Sequence, residues 1–151
     1  MPTGDITRGT RTALANISRL QSNTNGVAEA FGEVQLSGAV GLSVHMVIPI
    51  NSSATGGTYD VYVVESQDGA EWTDNVDPNT SGDVASKIAD MRPAWSADTT
   101  YDATHRTEAE IHFTLNGFDY ADYVGFVVDN NSGQTIPASG ADGDSATLKV
   151  S

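Results

Sequence analysis

The chain has 151 residues, no cysteine and a formal charge of −13, with seven Lys or Arg against twenty Asp or Glu. One domain of this length buries roughly two thirds of its unfolded surface and folds without staples, and the missing thiols exclude disulfides and thiolate metal sites. Such acidity repels phosphate backbones, so nucleic acid is not an expected partner. No run approaches the roughly 18 apolar residues of a membrane span, and the first twenty residues lack the apolar core of an export signal, so neither membrane nor export is expected.

Charge is unevenly placed. Residues 1–28 carry Arg8, Arg11 and Arg19 against Asp5 alone, whereas residues 29–151 carry four basic and nineteen acidic side chains. The asymmetry reads first as a solvated acidic body with a frayed terminus, and second as an N-terminal arm, residues 1–28, lying across an acidic neighbouring subunit. Residues 10–21 set Leu14, Ile17 and Leu20 at helical spacing, although an extended arm fits equally well. The arm's candidate interface residues are Arg8, Arg11, Leu14, Ile17 and Arg19.

From residue 29 the dominant period is two. Glu33–Ser37 can open the first sheet. Over Val40–Ile50, Leu42, Val44, Met46, Ile48 and Ile50 alternate with Ser43, His45, Val47 and Pro49, which puts five apolar side chains on one face. A strand this long is expected to bend or bulge, with Pro49 at an edge or a strand end. Thr58–Ser66 alternates again but has a partly apolar second face. Asp68-Gly69 follows as a hairpin signal, with Trp72 expected to begin the return strand and to pack in the core or over an end.

Val84–Met91 has the pattern of about two helical turns, capped by Asp83 and ended by Arg92-Pro93. Trp95 sits in irregular sequence, where it can anchor an interface or cover a gap beneath a loop; Tyr101, Tyr120 and Tyr123 admit the same two readings. Glu108–Leu115 is a cleanly alternating half-buried strand. Tyr123–Asp129 is nearly continuous in apolar residues, as a central strand covered on both faces would be. Ala146, Leu148 and Val150 close the chain. Six to eight strands joined by turn-rich loops, with no βαβ alternation and no repeat, predict an all-β antiparallel sandwich or jelly roll with an extended N-terminal arm and little helix. The domain is expected to span 29–151.

No constellation carries chemistry. His45 and His112 occupy the non-core positions of their strands and, with Glu110, resemble half of a metal site, yet no third ligand falls in register. Ser, His and Asp form no hydrolase arrangement, and carboxylate pairs such as Glu65 with Glu71 or Glu108 with Glu110 are unavoidable among twenty acids. The oxygen-rich stretches Asp74–Asp77, Asp129–Asn131 and Asp142–Asp144 match no EF-hand and read as turns. The expectation is a non-enzymatic protein without catalytic, cofactor or metal residues.

Tyr59-Asp60-Val61-Tyr62-Val63-Val64-Glu65-Ser66-Gln67-Asp68-Gly69-Ala70-Glu71-Trp72 resembles a pattern of small phage virion proteins: a strand, then Glu-Ser-x-Asp-Gly, then Trp. The Leu42–Ile50 strand, and the Tyr123–Asp129 strand running into Asp-Asn-Asn-Ser-Gly, are similar to counterparts in that group. The resemblance covers roughly residues 35–150 and implies a jelly-roll bacteriophage capsid decoration, or cement, protein. Such a protein binds the outer surface of a virion, holds major capsid protein subunits together and assembles in the host cytoplasm. Closed symmetry at a shell axis implies a homotrimer or homodimer. The alternative is a tail or fibre component, or a carbohydrate-binding module, using Trp72, Trp95 or Tyr101 as sugar platforms.

Overall fold

The computed structural model describes residues 8–36, 41–116, 121–138 and 142–149. Within them the chain forms eight strands: β1 (Arg8–Thr12), β2 (Ala28–Gln35), β3 (Gly41–Pro49), β4 (Thr58–Ser66), β5 (Trp95–Asp98), β6 (Glu108–Asn116), β7 (Tyr123–Asn131) and β8 (Asp142–Lys149). They build two antiparallel sheets, ordered β1-β8-β3-β6 and β2-β7-β4-β5. First pairs with last, second with seventh, third with sixth and fourth with fifth. The chain is therefore one long hairpin, rolled until β3 also meets β8 and β4 also meets β7. This is the jelly-roll form of the antiparallel sandwich expected from the period-two pattern.

The main core lies between the sheets. Leu42, Val44, Met46 and Ile48 of β3 face Phe31, Tyr59, Val61 and Phe126 from the other sheet, all fully buried. The Tyr59 hydroxyl donates to the Pro49 carbonyl at 2.8 Å, and burial pushes its pKa up to about 12. Pro49 ends its strand. Because Ile50 N–H donates to Thr107 C=O in the same register as the ladder, the missing donor of Pro49 falls on the side away from β6 and costs that ladder nothing. The irregularity expected in β3 lies elsewhere, as a register shift against β8 between His45 and Val47.

A second core covers the outside of the β2-β7-β4 surface. Residues 67–94 leave β4, cross that face and return as β5, burying Trp72, Val76, Val84 and Ile88 against Tyr62, Val64 and Val127. The approach is close: a Cβ on Gly125 would stand 2.6 Å from Pro78 Cγ, which explains a glycine in a central strand.

Several expectations are corrected here. Trp72 makes only an isolated bridge to Ser66, and the return strand is β5, more than twenty residues further on. Its indole does pack in a core, the second one, and donates to Gly69 C=O at 3.3 Å. The two-turn helix over Val84–Met91 shrinks to a 3-10 turn at Ala85–Lys87. Asp83 still accepts from Ala85 N–H, but the same oxygen also takes Ala28 N–H on the edge of β2, which ties the segment to the sheet. Residues 10–21 are neither one helix nor a free arm, since β1 and a 3-10 turn at Ile17–Leu20 share them and Leu14, Ile17 and Leu20 enter the main core. The body thus begins well before residue 29. Residues 1–7 of the arm, Tyr120 and Val150 lie outside the described residues.

Candidate functional site

One flank of the sandwich combines an exposed aromatic with an open strand edge. Short β5 and longer β6 run along it at the margins of their two sheets. Trp95 opens β5 and is 41 % exposed, the one large apolar side chain so placed among the described residues. Its indole stacks on Phe113 of β6, with centroids 6.5 Å apart and planes inclined by 16°, so part of the ring is fixed against the core and part faces solvent. Phe113 in turn meets Phe126 edge-on inside the core. An aromatic held this rigidly offers contact area at little cost in side-chain entropy.

The loop from β5 to β6 is braced by charge. Arg106 Nη1 donates to Asp98 Oδ2 at 2.7 Å, and Asp102 accepts from Thr104 N–H and pairs with His105. Backbone donation from Thr100 holds the Asp98 carboxyl below its ordinary range, and donation from Thr104 does the same for Asp102. These acids stay ionised to fix the loop.

On the outer face of β3 and β6, His45 and His112 stand directly opposite each other, with ring centroids 6.0 Å apart and edge to face. His45 Nε2 lies 2.9 Å from Glu110 Oε1. The expected juxtaposition therefore forms, although no three His, Cys, Asp or Glu among the described residues are placed to hold a metal ion.

Other sequence candidates find structural duties. Glu65, Asp68, Glu71 and Trp72 line one open groove, but Asp68 is occupied as the acceptor of its own turn, bonded by Ala70 N–H, Glu71 N–H and the Ser66 hydroxyl. Trp72 is 7 % exposed and offers no open face, and Tyr101 packs partly buried against the main core. Asp129–Asn131 is strand rather than loop. Asp60 and Asp129 face each other there and share the Asn131 amide, while buried Asn130 bonds Asn23 C=O, Gln134 C=O and Ser132.

Of the arm's candidates, Leu14 and Ile17 are core residues, 4 % and 8 % exposed. The Arg19 guanidinium is spent on the carbonyls of Ala30, Pro78 and Asn79 at 2.9–3.0 Å. Arg8 and Arg11 belong to β1 by their backbone, and their side chains lie outside what the structure describes. Trp95 alone of the expected interface residues is brought to an exposed position within the described structure. Sequence reading missed the β6 edge beside it, although nine residues of alternation without Pro, Gly or Lys were its signal.

No helix among the described residues is long and apolar enough to cross a membrane. Comparison with family models, curated proteins and solved structures gives no match to this chain.

Proposed function

We propose that the protein is a bacteriophage capsid decoration protein, which attaches to the outside of the shell and strengthens contacts between major capsid protein subunits. The observation that carries the reading is the β5–β6 flank, where a rigid, half-exposed Trp95 stands beside a long open strand edge. That combination suits docking to protein, because an aromatic anchor supplies buried area and a strand edge supplies directed hydrogen bonds. The strong negative charge supports an exterior position, away from packaged DNA. The tail or sugar-binding alternative loses Trp72, which is built into the fold, and is weakened at Tyr101, which is partly buried against the core.

The test is co-sedimentation of the purified protein with shells assembled from a major capsid gene neighbouring its own. Saturable binding is expected, weakened about ten-fold or more in Trp95→Ala. Absence of binding at any ratio would overturn the proposal, and a glycan-array signal lost in Trp95→Ala would move it to the carbohydrate reading.

A further inference from the structure

Four strands lie at sheet margins, and three are protected in recognisable ways. β1 is five residues long and shifts register against β8 between Arg8 and Arg11. β5 has four residues. β2 is bulged between Phe31 and Val34, and its outward groups are taken: Ala28 N–H by Asp83, Ala28 C=O by Val84 N–H, Ala30 C=O by Arg19, and Gly32 N–H by Ala15 C=O. Short length, bulges, covering groups and charged side chains are among the ways natural sheets prevent edge-to-edge pairing. β6 has only the last, in Glu108 and Glu110. It is nine residues long, pairs with β3 without one register shift, and contains no Pro, Gly or Lys.

The direction of its free groups follows from one bond. Ile50 N–H donates to Thr107 C=O, and in an antiparallel ladder such bonds recur at every second pair. Ala109, Ile111, Phe113 and Leu115 therefore turn their backbone groups toward β3, while Glu108, Glu110, His112, Thr114 and Asn116 turn theirs to the open side. Among the described residues no hydrogen bond reaches those outward groups.

We infer that β6 is a two-fold interface, at which two copies of this chain pair β6 with β6 antiparallel about His112 and join their sheets into one of eight strands. His112 is the midpoint of Glu108–Asn116, so this register alone uses the whole strand, and it opposes residues whose outward groups can all bond. The strand's own charge pattern admits a copy of the same chain in this register. The two acids lie in the first half of the strand and neutral Thr114 and Asn116 in the second, so antiparallel pairing sets Glu110 against Thr114 and Glu108 against Asn116. No carboxylate then faces another directly. On the inner side Ile111 meets Phe113, next to the stacked Trp95, which lies near the axis as the apolar anchor. This inference rests on the reading of the flank as a protein-docking surface and names its first occupant, a second copy, so that attachment to a shell runs through the pair, while the pair itself depends on no shell.

The test uses the full chain alone, with mass followed by light scattering through a dilution series. Wild type is expected to be a dimer that dissociates on dilution. His112→Pro removes an N–H that serves nothing inside the chain, and His112→Lys sets two ammonium groups face to face. Both should be monomeric with an unchanged circular dichroism spectrum. The chain has no cysteine, so His112→Cys should oxidise to a disulfide-linked dimer while Glu108→Cys, opposite Asn116, should not. A monomeric or trimeric wild type, a dimer that survives His112→Lys, or equal cross-linking of the two cysteine variants would overturn the inference. A dimer that ignores capsid shells would instead count against the proposed function and leave the interface standing.

Discussion

The two sheets differ in what lies on their outer faces. Residues 67–94 cover the outside of β2-β7-β4, so Tyr62, Val64 and Val127 are buried on that side as firmly as the main core is on the other. Across the outside of β3 and β6 no further segment among the described residues is packed; His45 meets His112 and Glu110 there, and Ser43 bonds Thr114. One sheet is a central layer of three, the other an outer wall. A strand's second face is thus apolar where the chain itself provides a cover, and polar where solvent or a partner does.

The same substitution should separate the two faces most sharply. Val127→Asp places an unpaired carboxylate beneath the second core and is expected to cost about 4 kcal/mol, much of the stability of a domain this size. Val47→Asp, on the outer wall in register with Glu110 of β6 and Asp142 of β8, adds cross-strand repulsions of about 1 kcal/mol or less each. Urea denaturation of the two variants measures the gap, and equal losses would mean that the covered face is not dry.

Trp72→Ala should come next. Removing the indole from the second core is expected to cost about 3 kcal/mol, with the damage concentrated in the cover. Lys87 is its own tryptic site, since Pro93 blocks cleavage after Arg92, so cleavage at Lys87 should accelerate well before the sandwich unfolds. Uniform acceleration at Arg106 as well would show that cover and sandwich melt together.

Much of this contrast is legible in the sequence. The unbroken apolar run of β7 predicts a strand covered on both faces, and the clean alternation of β6 predicts one covered face, as observed. What the sequence conceals is the identity of the cover. Asp68-Gly69 has the chemistry of a hairpin turn and does turn the chain, but Trp72 then packs onto the sheet rather than extending it, a choice set by long-range burial that no local pattern encodes. Leu14 and Ile17 mislead in the same way, because an apolar pair in a basic segment looks identical whether it meets another subunit or its own core. Arg19 suggests an interface by charge alone, and only the folded chain reveals three carbonyls waiting for it. The open flank was half visible: Trp95 by its type, the β6 edge only by what β1, β2 and β5 have and β6 lacks.

The smallest effect belongs to the turn that launches the cover. Donation from Glu71 N–H, then Ala70 N–H, holds the Asp68 carboxyl below its ordinary 3.8. A carboxyl depressed on folding stabilises the fold at pH above its unfolded value, and that contribution fades as pH falls through the lower folded value. The melting temperature should therefore hold steady from neutrality to about pH 5 and fall below pH 3.8, with Asp98 and Asp102 contributing in the same sense. Asp68→Asn keeps the acceptor but not the charge. It should melt slightly lower than wild type at pH 7, and the difference should close in acid once the wild-type carboxyl takes up its proton. A difference that stays constant across the titration would place the turn's strength in its geometry rather than its charge.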